Sequence, residues 1–178
     1  FLTAQREMDT EEPGMGDLYP IGVVAEVRQV LRVSDDLVKV LVEGKYRACL
    51  TALDTGGDFL QATVKPAPVR GLNDCDEIEV DAVMRSIREA FEEYLSLSPR
   101  LAKDVVYNIL SCENAAQMCD YLPANLLFRY QDKQSILEED TLMGRLEHIL
   151  ALLRRECQVL QVEKEIDDKV NEQMDKNQ

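Results

Sequence analysis

The chain has 178 residues, no Trp, 46% hydrophobic residues and a net charge of −14. That length suits one ordinary domain or two small ones with a core of Leu, Val, Ile and Ala, and it argues against wholesale disorder. The charge argues against binding nucleic acid or anionic membranes through a basic face. It is also uneven, at −3 over residues 1–70 and −11 over the remainder, which suggests two structural units.

The chain starts at Phe1-Leu2-Thr3-Ala4, without Met, and reads as a fragment entered within a strand. Residues 6–18 are polar, with Glu11-Glu12-Pro13-Gly14 as a turn signal, so a surface loop is expected. Over residues 21–33, Val23, Ala25, Val27, Leu31 and Val33 alternate with Glu26, Arg28 and Arg32. This is the pattern of a strand with one buried and one wet face, and Gln29 marks a candidate bulge. Ser34-Asp35-Asp36 turns the chain into Val38, Val40 and Val42, an antiparallel partner expected to break at Gly44. A strand over 46–53, a loop at Thr55-Gly56-Gly57-Asp58 and a return from Phe59 to Val64 follow. Pro66-Ala67-Pro68 ends the strands, because proline donates nothing to a ladder.

The rest reads as helix. Residues 76–97 place Ile78, Val80, Val83, Met84, Ile87, Ala90, Phe91 and Tyr94 on one face. Ser98-Pro99 is expected to open a helix over 99–111, and another over 114–122 should stop before Pro123. A short helix is expected over 124–131, and Ser135-Ile136-Leu137-Glu138 fits the capping box of one more. From Thr141 onward only Gly144 interrupts a long helix. Beyond Val162 its apolar residues reduce to Ile166, Val170 and Met174, a narrow stripe suited to a partner helix. The architecture is therefore α+β. An antiparallel β unit, a small barrel or curled sheet, spans 1–68, and a helical unit spanning 73–178 ends in a connector helix.

Catalytic signatures are missing. There is no phosphate-binding loop, nucleophile elbow or H-E-x-x-H. The single His148 cannot build a multi-His metal site, and the five cysteines are irregularly spaced without C-x-x-C. Neither a catalytic nor a metal-binding nor a cofactor-binding residue is assigned.

Lys39-Val40-Leu41-Val42-Glu43-Gly44-Lys45-Tyr46-Arg47 resembles the V-L-V-E-G-x-x-R signature of the N-terminal domain of Lon, the bacterial-type ATP-dependent serine protease. Glu12-Pro13 with Gly22-Val23-Val24-Ala25, Lys133-Gln134-Ser135-Ile136-Leu137-Glu138, and Arg145-Leu146 with Ile149-Leu150 are similar to further elements of that family, in the same order. Glu156, Leu160, Glu163, Ile166, Val170, Met174, Lys176 and Gln178 resemble its helix toward the ATPase module. Where the family often carries Pro-Asp-Gly at the hairpin turn, this chain has Ser34-Asp35-Asp36.

The resemblance implies a barrel-like, PUA-like β unit followed by a helical bundle, whose first strands are absent here, leaving an open edge with exposed ladder groups. It also implies a non-catalytic, cytoplasmic part of a hexameric protease. Such a part would recognise unfolded or damaged proteins and support assembly with other copies of itself. ATP and Mg would be needed only in an ATPase module beyond this chain. Leu18, Tyr19 and Ile21 are the expected substrate contacts, and Ile166, Val170 and Met174 the expected association stripe. A stand-alone regulatory relative of the same domain is the alternative.

Overall fold

The computed structural model describes residues 1–98 and 100–177. The chain divides into two compact units, Phe1–Val69 and Arg70–Gln178.

The first unit is a three-stranded antiparallel sheet in the order β1 (Ile21–Arg32), β2 (Val38–Asp54), β3 (Gln61–Pro66). The N-terminal segment lies on the free side of β1, where Leu2 and Val23 exchange both backbone hydrogen bonds, at 2.8 and 2.9 Å. Gly22 permits this approach, because a Cβ there would sit 2.2 Å from the Leu2 carbonyl oxygen. Leu18, Ala48 and Leu50 are buried and form the small core at this end.

Gly44 does not break the strand. β2 runs through it, with the register shifting so that Val24 faces Tyr46 and Ala25 faces Gly44, leaving Lys45 as the extra residue of a bulge. A second bulge falls at Arg28, beside the expected Gln29, and a third at Thr51. The Arg28 bulge overturns the expected single buried face. An inserted residue reverses the alternation beyond it, so Val27 and Leu31 lie on opposite faces. Both are exposed, as is Val33.

The second unit comprises α1 (Glu77–Leu97), α2 (Lys103–Leu110), α3 (Ala115–Asn125), α4 (Tyr130–Glu138) and α5 (Leu142–Lys176). Asp76 caps α1, its carboxylate accepting from the Ile78 amide at 2.8 Å. Met84, Ile87, Ala90, Phe91 and Tyr94 are buried on the inner face of α1, whereas Ile78, expected there, is exposed. The facing stripe of α5 is Leu146, Ile149, Leu153 and Cys157, with the Cys157 thiol 3.5 Å from the Ala90 carbonyl oxygen.

Four helix expectations are corrected. Ser98 closes α1, donating its N–H to the Tyr94 carbonyl, and α2 starts at Lys103 after Ala102, with no side-chain cap; Pro99 lies outside the described residues. α3 continues through Pro123 to Asn125, in its last turn, where few later hydrogen bonds depend on that position. No separate helix occupies 124–131, since α4 begins at Tyr130. Ser135 lies inside α4, its hydroxyl donating to the Asp132 carbonyl at 2.7 Å, so it caps nothing.

Thr141 opens α5 as expected, accepting from the Gly144 amide at 3.1 Å. Arg70 secures this start: its N–H donates to the Asp140 carbonyl, its carbonyl accepts from Leu142, and its guanidinium pairs with the Asp140 carboxylate. Arg145 is buried and ties α5 to α3 through Asp120 at 2.9 Å. The 35 residues of α5 extend roughly 50 Å at 1.5 Å per residue, and residues 161–177 are exposed on every side.

Candidate functional site

The sheet unit carries an arm that nothing in the unit covers. Every residue from Glu26 to Tyr46 is exposed. Directly paired residues of a ladder share a face, so Val27 with Val42, Val30 with Val40, and Val38 opposite Arg32 make one apolar face of five valines. Val30 remains 60% exposed and Val40 50%, an unusual state for β-branched side chains clustered on one surface.

The opposite face is charged near the base of the arm. The extra residues of the two bulges, Arg28 and Lys45, meet Glu26 and Glu43 there. Arg28 lies 2.9 Å from Glu26 and is also paired with Glu43; Lys45 lies 3.0 Å from Glu26 and 2.8 Å from Glu43. Lys45, then Arg28, holds the Glu43 carboxyl below its ordinary range, and Glu43, then Glu26, raises the Lys45 ammonium. Each exposed pair contributes little alone; Arg28–Glu43 and Lys45–Glu26 cross between the strands and favour this register, whereas Arg28–Glu26 and Lys45–Glu43 each stay within one strand. Residues 26–46 carry four basic and four acidic side chains, a neutral arm on a chain of charge −14.

The residues expected from sequence lie elsewhere. Leu18 is only 7% exposed and belongs to the core, so it offers no contact surface. Tyr19 is half-buried beneath the Arg6 guanidinium, 4.7 Å above its ring, and its carbonyl accepts from the Thr3 hydroxyl at 2.6 Å. Ile21 is half-buried opposite Cys49. Ile166, Val170 and Met174 are exposed on the second half of α5, where Val159 and Val162 extend the stripe. The arm was missed because Val38, Val40 and Val42 were read as the partner of a strand with one buried face, and alternation does not report whether a second layer covers that face.

No catalytic constellation appears among the described residues. Ser135 lies 3.0 Å from His148 Nε2, and Glu139 lies 3.4 Å from His148 Nδ1, an order that resembles a nucleophile, base and orienting acid. The Ser135 proton, however, is committed to the Asp132 carbonyl, so it is not shared with the imidazole. The set links α4 to α5. No group of three or more His, Cys, Asp or Glu among the described residues could hold a metal, and no helix there is long and apolar enough to cross a membrane.

The profile of the ATP-dependent protease La (LON) substrate-binding domain matches residues 1–155. The chain belongs to this family. Lon protease of Erwinia amylovora is 37% identical over 178 residues, covering 100% of this chain and 22% of that protein. Lon protease of Escherichia coli K12 is 36% identical with the same coverage. That of Clostridioides difficile is 32% identical over 180 residues, covering 100% of this chain and 23% of that protein. The chain thus spans about a fifth of the length of these relatives. The N-terminal domain of Mycobacterium avium complex Lon protease superimposes with a TM-score of 0.62 at 20% identity, over 76% of this chain and 70% of that one. That likeness supports the α+β LON fold expected from sequence.

The thiols of this LON domain provide a check on its core. Burial pushes the Cys119 thiol up to about 12 and the Cys157 thiol up to about 11. At pH 8 a disulfide reagent should leave both unmodified in the folded chain and react with both after urea unfolding. Folding stability should also fall as pH rises above the ordinary thiol value of 9.0, because the unfolded chain then releases protons that the folded chain retains. Rapid native modification of Cys119 would contradict the burial.

Proposed function

We propose that this chain is the polypeptide-recognition part of a Lon-type ATP-dependent protease, and that the valine face of the β1–β2 arm holds unfolded or damaged segments. The carrying observation is the set of five exposed valines on one face of an arm with no second layer. Completing the burial of each would contribute ~1 kcal/mol. After the cost of ordering the captured segment, the net is weak, reversible binding. Reversibility suits a surface that must release what it holds to a downstream motor. Peptide hydrolysis, ATP and Mg belong to modules outside this chain in this reading. Free cysteines throughout are consistent with a reducing, cytoplasmic setting.

Assembly is the second role in this reading. Ile166, Val170 and Met174, with Val159 and Val162, form an apolar stripe on a helix otherwise surrounded by solvent, and another copy's α5 would bury it. In a full-length hexamer the copies are already held close, so a modest helix contact gains from high effective concentration.

Both roles have direct tests. Val40→Asp puts a charge in the centre of the valine face at an exposed position. It should leave urea stability within about 0.5 kcal/mol and weaken binding of a permanently unfolded, carboxymethylated protein at least several-fold, measured by fluorescence anisotropy. Unchanged binding would remove the arm from the mechanism. Val170→Asp should reduce the concentration-dependent mass seen in sedimentation equilibrium; an unchanged profile would show that the α5 stripe does not join copies.

A further inference from the structure

The arm presents a sheet edge as well as a face. Its hydrogen-bond phase follows from three contacts. The Val33 N–H donates to the Leu37 carbonyl at 2.9 Å, which makes Val33 and Leu37 an inward-bonded pair at the tip. Pairs alternate along an antiparallel ladder, so the N–H and C=O groups of Val38, Val40 and Val42 point away from β1. Two contacts near the base agree with this phase. Arg47 directs its carbonyl outward to the Ala67 N–H at 3.0 Å, and Val23, opposite it, directs both its groups outward to Leu2. β3 covers the outer side of β2 only from Ala48 to Asp54. Among the described residues, Val38 to Tyr46 have no ladder partner on that side.

We infer that this edge of β2 binds an extended polypeptide segment by antiparallel strand addition, reading alternate apolar residues against the valine face. The inference rests on the proposed function and specifies how it works. In an antiparallel pair, residues directly opposite Val38, Val40 and Val42 place their side chains on the valine face. The same guest residues turn their N–H and C=O groups toward the edge. Backbone bonding and apolar burial therefore fall on the same alternate residues of the guest. A guest of about seven residues spans Val38 to Gly44 in the direction β3 already takes along β2. Affinity comes largely from main-chain groups that every unfolded protein carries, and the neutral arm does not repel guests of either charge.

The occupant is an extended segment rather than a second copy. Five half-exposed valines offer a patch on the order of 300–400 Å², about half the ~800 Å² per partner that a stable dimer of folded chains buries. Two copies would also bring charges of −14 together across that small contact.

The test uses a labelled seven-residue peptide alternating Val and Thr, with two backbone-methylated analogues. N-methylation of its Val residues removes the N–H groups that face the edge. N-methylation of its Thr residues removes those that face away. The expected result is at least about tenfold weaker binding for the Val-methylated analogue, near-parental binding for the Thr-methylated one, and slowed amide exchange at Val38, Val40 and Val42 with the parent peptide. Equal binding of both analogues, with loss only on Val40→Asp, would overturn strand addition while leaving recognition by the face intact. Equal loss from both would also overturn this edge assignment. No binding of any peptide, or of carboxymethylated protein, would remove the proposed function and this inference together. A peptide-free dimer that Val40→Asp converts to a monomer would assign the edge to a second copy instead.

Discussion

β2 is seventeen residues long and its outer neighbour β3 is six. The ladder between them closes with the Ala67 N–H on the Arg47 carbonyl at 3.0 Å, well short of the tip of the arm. What is distinctive about the sheet unit follows from it. At the base, where three strands and the N-terminal segment coincide, Ala48 and Leu50 are buried. Beyond the base only β1 and β2 remain, and both faces meet solvent. A two-stranded ribbon is marginal alone, and the cross-strand pairs Arg28–Glu43 and Lys45–Glu26 favour its register while leaving the valine face free.

The helical unit solves a different problem. Its core is a continuous apolar seam between α1 and α5, closed by Phe91, Ile87, Leu146, Ile149 and Leu153, with the shorter helices adding Ile109, Met118, Leu122 and Ile136. α5 needs only its first half for that seam. The remaining length carries apolar residues at steps of three and four with nothing of its own unit to pack against. Each unit therefore pairs a conventional core with one element that outgrows it, and the unsatisfied apolar surface of the chain is concentrated in those two elements.

Much of this was legible in the sequence. The antiparallel strand succession, a first helix beginning near Asp76 and the start of α5 at Thr141 depend on local chemistry, and local chemistry is what periodicity and capping residues report. Errors arose where a local signal had two structural uses. Ser98 can cap a following helix or close a preceding one, and its amide bonds back to Tyr94. Gly44 can end a strand, yet here the strand continues through a bulge at Lys45. The valines were the most consequential case. Alternation reports which side chains share a face, but whether another layer covers that face depends on elements far along the chain, and within this unit none covers residues 26–46. Leu18 shows the converse, since beside a polar loop it resembled a surface residue, and the pairing of the N-terminal segment encloses it.

The central claim is that the uncovered valine face is where an unfolded chain is held. Methyl-resolved NMR of the valine-labelled protein during titration with a permanently unfolded polypeptide tests it most directly. The account predicts saturable shifts at Val27, Val30, Val38, Val40 and Val42, with little change at Val80, Val83 and Val106 of the helical unit. Saturable binding that moved the helical valines and left the five arm valines unchanged would contradict it.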